Sequence, residues 1–194
     1  MSKAEKTKAF IIEKTAPLFN KKGYAGTSLN DITAATGLTK GSIYGNFSDK
    51  DEVALAAFDH NIQQVQQLIR AEMSRYNTVR EKLQVYVKVY NDFLKGPFPE
   101  GGCPILNTAI EADDTHEALK EKAAAALTVW KNSLTALVRK GIENGELKAD
   151  IDAEQTALTM IALLEGAIMI TKLTGRLNYR KTIMQSVEQL INNL

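Results

Sequence analysis

The sequence is poor in the residues that build disulfides and metal sites. Its 194 residues include one cysteine and two histidines, His60 and His116, so no disulfide forms within the chain. We find no Gly-rich phosphate loop, no nucleophile motif and no metal-ligand spacing of Cys, His and carboxylates. We therefore expect no catalytic residues, no metal and no cofactor. We expect both histidines to lie on exposed helix surfaces.

Long hydrophobic runs and a secretory leader are also absent. The longest apolar region, residues 157–173, contains Glu165 and Lys172, and the N-terminal segment MSKAEKTKAF is polar. A membrane-spanning helix needs about 20 mostly apolar residues, and a signal peptide needs an apolar core segment. These absences predict a chain that is not a membrane protein and that is located in the reducing cytoplasm.

Charge is distributed unevenly along the chain. The whole chain has a net charge of +1, yet residues 1–50 contain eight lysines and four acidic residues, a net charge of +4. Arginine is absent from the first 69 residues. A basic N-terminal segment on a mildly acidic body indicates an anionic partner for one end of the molecule.

The apolar residues recur with the 3.6-residue period of helices, and β-branched alternation is scarce. This pattern predicts an all-α fold of about nine helices. Residues 1–50 are predicted to form a three-helix DNA-binding domain, with a helix-turn-helix at 28–47. Helix four joins it to a helical ligand-binding and dimerisation domain at 51–194. Three capping boxes mark predicted helix starts: Ser28 with Asp31, Ser48 with Asp51, and Asp114 with Glu117.

The strongest functional signal lies in the short segment 39–47. Two short helices joined through residues 35–39 have the spacing of a helix-turn-helix, whose second helix enters the major groove of DNA. Ile43 and Phe47 are four residues apart and can anchor that helix to its neighbours. The outer positions are then free of acidic residues; they are Thr39, Lys40, Gly41, Ser42, Tyr44 and Asn46.

These residues and their spacing resemble the TetR-like (TetR/AcrR) transcriptional repressors. The resemblance is carried by Phe19, Gly23, Tyr24, Thr27, Ser28, Asp31, Ile32, Ala35, Gly37, residues 40–44, Phe47, Lys50 and residues 55–57. The Gly-Cys-Pro sequence at 102–104 is similar to one subgroup. The resemblance implies a ligand-responsive repressor that binds a palindromic double-stranded operator as a homodimer and leaves it when a small apolar or thiol-reactive effector binds.

The resemblance also assigns roles to residues of the basic segment. Thr27, Ser28 and Lys50 are expected to bind phosphate, and Lys40, Ser42 and Tyr44 to contact base edges and backbone. Many members have histidine where this chain has Asn46, which can still contact phosphate or adenine. Because arginine is absent here, bidentate reading of guanine by arginine from this domain is excluded.

Helix eight is apolar on nearly every side, so it must be buried on every side. One side can pack on its own body, whereas the other needs a partner. A two-fold bundle of helices eight and nine from two chains satisfies this requirement. A monomer with a buried central helix is the alternative. The predicted interface residues are Ile161, Leu164, Gly166 and Ile168 of helix eight, and Ile183, Val187 and Leu190 of helix nine.

Aromatic residues cluster around a Gly/Pro-rich loop in the C-terminal part of the chain. Ordinary core packing explains most of them, but buried Tyr and Trp need polar partners, and the set suits an effector pocket. The predicted pocket residues are Tyr86, Tyr90, Phe93, Cys103, Leu106, Trp130 and Leu134. Cys103 is also a candidate thiol sensor at a helix N-cap, made accessible by two glycines. The alternative for Cys103 is a small, half-buried residue at a tight turn.

Two other classes of function remain open from the sequence. One is a constitutive or architectural DNA-binding protein without an inducer, which a solidly packed body would favour. The other is a helical enzyme or carrier, which turnover or stoichiometric binding without DNA affinity would favour.

Overall fold

A computed structural model of the chain describes residues 2–194, which contain nine α-helices and no strand. The helices are α1 (Lys3–Lys22), α2 (Leu29–Thr36), α3 (Lys40–Tyr44), α4 (Lys50–Met73), α5 (Val79–Asn91), α6 (Pro104–Ala112), α7 (Glu117–Glu143), α8 (Ala153–Thr174) and α9 (Leu177–Asn193). The predicted all-α fold with about nine helices is confirmed.

Local side chains set the helix starts. The Ser28–Asp31 capping box at α2 is present as predicted: the Ser28 hydroxyl accepts from the Asp31 amide, and Asp31 accepts from the Ser28 amide. Such reciprocal bonds satisfy amides that have no partner within the helix. Asp152 caps α8 by accepting from the amides of Glu154 and Gln155.

Two predicted helix starts are wrong in detail. At α4, Asp49 rather than Ser48 accepts the amide of Glu52, at 2.8 Å, and Glu52 reaches back to the Ser48 amide at 2.7 Å. At α7, the Leu119 amide donates to Nδ1 of His116 at 3.3 Å. Each capping side chain is thus supplied by the residue three positions before the amide that it binds.

The chain forms two compact units. The first comprises the chain up to Val65 together with Pro99–Ala124, and the second comprises Gln66–Phe98 and Ala125–Leu194. Helices α4 and α7 each continue from one unit into the other. The core of the first unit is built from α1 to α4. Its members are Ile11, Ala16, Phe19, Ile32, Ile43, Phe47, Val53, Ala54 and Ala57.

The second unit is organised by α8 and α9, which pack on each other and on α5. Leu83, Leu134, Leu164 and Ile191 are fully buried in it. The Arg80 guanidinium donates to the Ile191 carbonyl, which joins the start of α5 to the end of α9. Helices α5 and α9 therefore run antiparallel in this unit.

Helix α8 is long and apolar enough to cross a membrane, but only 44% of its most apolar stretch is buried inside the chain. Met160, Leu164 and Ala167 point into the core, whereas Met169 and Leu173 are exposed. The helix thus has an inner face that is already packed and an outer apolar face.

Candidate nucleic-acid interface

Helix α3 is anchored by two core side chains and presents its remaining side chains outward. Ile43 and Phe47 are 0% and 2% exposed, whereas Lys40 and Tyr44 are exposed. The Thr39 hydroxyl caps the helix by accepting from the Ser42 amide at 3.2 Å. The helix spans Lys40–Tyr44, shorter than the predicted 39–47.

Gly41 lies on the exposed side of α3, and Asn46 lies just after the helix. A Cβ on Gly41 would meet nothing within 4 Å, so no contact within the protein requires glycine there. Asn46 is half-buried, and its Nδ2 donates to the Ser42 carbonyl at 2.9 Å. Asn46 thus closes the end of α3, and its amide oxygen has no hydrogen bond within residues 2–194.

Thr27 and Ser28, at the N-terminus of α2, are both predicted to bind phosphate, but only Ser28 is accessible. Ser28 is exposed at the N-cap, where partial positive charge favours an anion. Thr27 is 0% exposed, and its hydroxyl donates to the Gly23 carbonyl at 2.7 Å. The prediction for Thr27 is therefore corrected: its side chain is used inside the fold and is not accessible to phosphate.

Lys50, at the start of α4, is held over an aromatic ring. Its Nζ lies 4.1 Å from the ring centroid of Tyr24, and the Tyr24 hydroxyl donates to the Asp51 carboxylate. That hydrogen bond, together with partial burial and the Asp51 charge, raises the pKa of Tyr24 to about 12. The neutral ring of Tyr24 thereby holds the Lys50 ammonium group at the start of α4.

Glu111 of α6 helps to hold the turn between α1 and α2, a role that the sequence alone did not reveal. Its two carboxylate oxygens accept from the consecutive amides of Tyr24 and Ala25, each at 2.7 Å. Gly23 has φ +74°, and a Cβ there would lie 2.2 Å from the Glu111 carboxylate. The turn between α1 and α2 is therefore shaped around this carboxylate.

Two asparagines make a second connection between α1 and α6. Asn20 is buried, and its Nδ2 donates to the carbonyls of Glu100 and Gly102 at 2.7 and 2.9 Å. Asn107 in turn donates to the Asn20 carbonyl at 2.9 Å. The end of α1 is thus fixed to the loop before α6 and to α6 itself.

His116 is not the exposed helix residue that the sequence predicts. Its side chain is 11% exposed, and its ring meets the Tyr24 ring edge-on with centroids 4.5 Å apart. Its Nε2 lies 3.6 Å from the Asp51 carboxylate. Tyr24 therefore contacts α4 through Asp51 and the start of α7 through His116. The sequence did contain one signal for this role: His116 lies three residues before Leu119, whose amide in the first turn of α7 needs a capping acceptor.

The aromatic residues of the predicted pocket stack on one another in the second unit. The Trp130 ring is 6.4 Å from that of Tyr86 and 5.0 Å from that of Tyr90, nearly parallel to both. Burial raises the pKa of Tyr86 to about 12. The buried Nε1 of Trp130 has no hydrogen-bond partner within residues 2–194. Phe93 and Leu134 are buried in the same unit.

Cys103 and Leu106, the other two predicted pocket residues, belong to the first unit. Cys103 is the N-cap of α6 as predicted, but it is 1% exposed. The expectation that two glycines leave its thiol accessible is wrong, because the Cys103 side chain lies in the buried interior at the start of α6. A pocket that includes these two residues stays a prediction.

The predicted dimer residues divide into two groups. Ile161, Leu164, Ile168 and Val187 are between 0% and 6% exposed within a single chain, so they form its core and their assignment to the interface is corrected. Gly166, Ile183 and Leu190 are half-buried. The large apolar side chains that remain outward on α8 are Leu158, Met169 and Leu173.

Comparison with known proteins agrees with this architecture. Residues 11–57 match the tetR family of bacterial regulatory proteins, and residues 79–187 match the tetracyclin repressor-like C-terminal domain. The chain is 30% identical over 171 residues to the HTH-type transcriptional regulator TtgR of Pseudomonas putida, covering 85% of this chain and 80% of that protein.

Two solved structures extend the similarity to the whole chain. A TetR-family regulator from Cytophaga hutchinsonii is 50% identical, with a TM-score of 0.96, covering 100% of this chain and 97% of that one. A TetR regulator from Chloroflexus aurantiacus is 36% identical, with a TM-score of 0.93, covering 99% and 97%. A ligand-responsive regulator fits this family, whose relatives are regulators rather than enzymes. The chain belongs to the TetR family and is a DNA-binding transcriptional regulator.

Proposed function

We propose that the chain represses transcription by binding a palindromic operator as a homodimer in the cytoplasm, and that a small effector bound in its second unit releases the DNA. The observation that carries this proposal is the arrangement of α3. Ile43 and Phe47 hold the helix in the core, while Lys40 and Tyr44 project from it. An exposed helix of this kind, free of acidic residues, is suited to the major groove.

The contacts to DNA divide into positioning and reading groups. Ser28 at the start of α2 and Lys50 at the start of α4 bind phosphates on either side of the groove. Thr39, Lys40, Gly41, Ser42 and Tyr44 face the bases and the nearby backbone. Asn46 contributes its amide oxygen or acts only as a helix end. Because the first 69 residues contain no arginine, DNA shape makes a larger contribution to specificity.

The homodimer forms through the outer face of α8. Leu158, Ala162, Met169 and Leu173 are exposed there at helical spacing. A Cβ on Gly166, in the middle of this face, would meet nothing within 4 Å, which leaves room for a partner helix to approach closely. Ile183 and Leu190 of α9 border the interface. A two-fold dimer places two α3 helices on a palindromic site.

The effector site uses the aromatic cluster of the second unit. Tyr86, Tyr90 and Trp130 form a buried aromatic cluster, and the unpartnered Nε1 of Trp130 offers a hydrogen-bond donor. A small apolar molecule with a hydrogen-bond acceptor fits this chemistry. The close stacking of the same three rings favours the second candidate, a regulator that has no effector.

The effector signal passes from the second unit to the first, which contains α3, along α4 and α7, since each of these helices runs through both units. In the first unit, Glu111 and His116 hold the segment around Tyr24. A displacement of α6 or α7 therefore moves the turn before Ser28. Because coupling between two sites is reciprocal, operator binding must in turn alter α6 and α7.

Fluorescence anisotropy tests the DNA-binding proposal. Full-length protein is titrated onto DNA selected from a random library, and onto a scrambled sequence, at several salt concentrations. We expect saturable, sequence-dependent binding to a site with two-fold symmetry and an affinity that falls steeply with salt. Equal affinity for both sequences, or an asymmetric selected site bound by one chain, would contradict the proposal.

Hydrogen exchange tests the coupling without knowledge of the effector. Operator binding is expected to slow amide exchange in α6 of the wild type. The same change is expected to be lost in Glu111→Gln and retained in the Asp114→Asn control. Identical responses of α6 in the wild type and in Glu111→Gln would exclude Glu111 from the pathway.

A further inference from the structure

The two ring nitrogens of His116, the residue before α7, have different surroundings. Nδ1 accepts from the Leu119 amide at 3.3 Å, so this nitrogen carries a lone pair and the proton of the neutral ring lies on Nε2. Nε2 is buried and has no hydrogen-bond partner within residues 2–194. It lies 3.6 Å from Oδ2 of Asp51, too far for a hydrogen bond. His116 is therefore a neutral helix cap that lies beside a carboxylate without bonding to it.

Asp51 of α4 connects His116 to the lysine that is proposed to bind DNA. The other carboxylate oxygen of Asp51 accepts from the Tyr24 hydroxyl. The Lys50 ammonium group lies over the Tyr24 ring, 4.1 Å from its centroid, and the His116 ring meets the same ring edge-on at 4.5 Å. His116 thus reaches Tyr24 both directly and through Asp51, and Tyr24 holds Lys50.

The other charged groups around His116 are bound elsewhere or exposed. Glu111 of α6 accepts from two backbone amides of the turn between α1 and α2. On α4, Asp51 supplies a negative charge and Lys50 a positive one. The remaining charged residues lie on either side of His116 in the sequence and are exposed; they are Asp113, Asp114, Glu117 and Lys120. Within residues 2–194, Asp51 is the carboxylate at ion-pair distance from the ring.

A second proton on the imidazole changes both contacts of His116. A protonated Nδ1 cannot accept from the Leu119 amide, so the start of α7 loses its cap. The charged ring is also attracted to Asp51. Charge-assisted N–H···O bonds are about 2.8 Å long, so closing the present 3.6 Å gap requires a movement of about 0.8 Å.

This movement disturbs the support of Lys50. Asp51 is bonded to the Tyr24 hydroxyl, and the His116 ring touches the Tyr24 ring, so neither group moves without displacing Tyr24. Imidazole is the side chain that changes charge between about pH 5 and 8. A modest acidification therefore acts on the ring over which Lys50 lies.

We propose that His116 is a positioning residue for operator binding: its neutral form keeps Tyr24 and Lys50 in place, and its protonation weakens the contact of Lys50 with phosphate. The inference rests on the phosphate contact of Lys50 that is part of the proposed function. It makes the regulator responsive to protons through the first unit, independently of the aromatic cluster in the second. Because coupling is reciprocal, operator binding favours the neutral form of His116.

Anisotropy titrations of the full chain on its selected operator, at constant salt, test this inference. We expect wild-type affinity to fall about threefold or more between about pH 7.5 and 5.5. His116→Asn keeps a capping acceptor but does not titrate, so its affinity should change little. His116→Ser, with another preferred cap residue, repeats the test. His60→Asn removes the other histidine and should retain the wild-type pH dependence. Equal pH profiles for the wild type and both His116 variants would overturn the proposal.

Lys50→Gln distinguishes failure of this inference from failure of the phosphate contact. We expect it to bind the operator more weakly than the wild type at neutral pH. Its pH profile should match that of the double variant with His116→Asn, because nothing is left for His116 to position. If Lys50→Gln bound as tightly as the wild type, the phosphate contact and the inference would both be wrong. If it bound more weakly but kept the pH dependence due to His116, only the inference would be overturned.

Nuclear magnetic resonance follows the same step without DNA. The imidazole ¹⁵N signals of His116 should show a proton on Nε2 alone at neutral pH. On acidification the Leu119 amide signal and the Tyr24 ring signals should shift together with the protonation of His116. A shift of Leu119 without one of Tyr24 would confine the effect to the helix cap and overturn the link to Lys50.

Discussion

The carboxylate of Glu111 accepts a 2.7 Å hydrogen bond from the backbone amide of Tyr24, 87 residues earlier in the chain. Its second oxygen accepts from Ala25 at the same distance. Hydrogen bonds to charged groups each contribute about 1.5–3 kcal/mol when partly buried. This single side chain therefore fixes the turn that precedes Ser28, the proposed phosphate ligand at α2.

Replacing Glu111 by glutamine should loosen that turn. The amide side chain offers one acceptor instead of two, so we expect a loss of about 1–3 kcal/mol in the free energy of unfolding and faster hydrogen exchange at Tyr24 and Ala25. Urea denaturation and exchange mass spectrometry measure the two effects. Asp114→Asn, an exposed change on the same segment, is the control. Unaltered exchange at Tyr24 would refute the role of Glu111.

The contact between Glu111 and Tyr24 marks the limit of what the sequence could predict. The Ser28–Asp31 capping box spans three residues, so local spacing was sufficient to predict it. The Glu111 contact depends on how α6 packs on α1, and no local pattern encodes that. The weak clue was Gly23, which fits a helix end as well as a close approach.

Helix α9 shows a second kind of limit. Ile183 and Leu190 are seven residues apart, and so are Met184 and Ile191. Both pairs satisfy the helical period, and only the packing of α5 and α8 shows that Met184 and Ile191 are the buried pair. On α8, which is apolar on nearly every side, periodicity could not separate the core face from the outer face. The assignment of Ile161, Leu164 and Ile168 to the dimer interface was wrong for this reason.

Gly41 offers a test of how α3 meets DNA. A Cβ at this exposed position meets nothing within the protein, and alanine is the better helix former by about 1 kcal/mol. Gly41→Ala should therefore be slightly more stable in thermal unfolding. We expect its operator affinity to fall, because the new methyl group separates α3 from the DNA. A variant that is stabilised and binds DNA as well as the wild type would place Gly41 away from the interface.

Lys40 is expected to attract the negatively charged DNA and also to make a specific contact that positions α3 on the operator. Replacing it with alanine should weaken binding and reduce the slope of log affinity against log salt by about 1. Lys6→Ala removes the same charge from an exposed site on α1 and serves as the control. Anisotropy titrations over a salt series measure both. If Lys6→Ala and Lys40→Ala behaved alike, a general charge effect would replace the specific contact.

Acid should weaken the attachment of α1 to α4. Glu52 accepts from Lys8 at 2.6 Å and from the Ser48 amide at 2.7 Å. The Lys8 hydrogen bond is the main cause that lowers the pKa of Glu52 from 4.5 to about 2. Because the folded-state pKa lies below the unfolded one, this stabilisation is present above about pH 4.5 and is lost as the pH falls towards 2.

Comparison of melting temperatures tests this pH dependence. Glu52→Gln should melt below the wild type at neutral pH, and the difference should close between pH 4.5 and 2. Glu121→Gln, at an exposed site on α7, should show no difference that closes in this range. A gap between Glu52→Gln and the wild type that stays constant down to pH 2 would show that the carboxylate charge is not what matters.

Substitutions on the two faces of α8 should have different effects: lower folding stability on the inner face and loss of the dimer on the outer face. Leu164 is 0% exposed within one chain, so Leu164→Ala should cost about 2–5 kcal/mol in folding by leaving a cavity. Met169 is 46% exposed on the outer face. Met169→Arg should leave the monomer folded, because its side chain already projects outward, but it would place an unpaired charge in the proposed dimer interface.

Analytical ultracentrifugation and circular dichroism separate these outcomes. We expect Met169→Arg to sediment as a folded monomer with operator affinity reduced by about tenfold or more, since one chain holds only one half of a palindromic site. Leu94→Arg introduces the same charge at another exposed apolar position of the second unit and should remain dimeric. If Met169→Arg stayed dimeric while Leu94→Arg dissociated, the partner would bind away from α8. The two α3 helices of the dimer would then be related by a different two-fold axis.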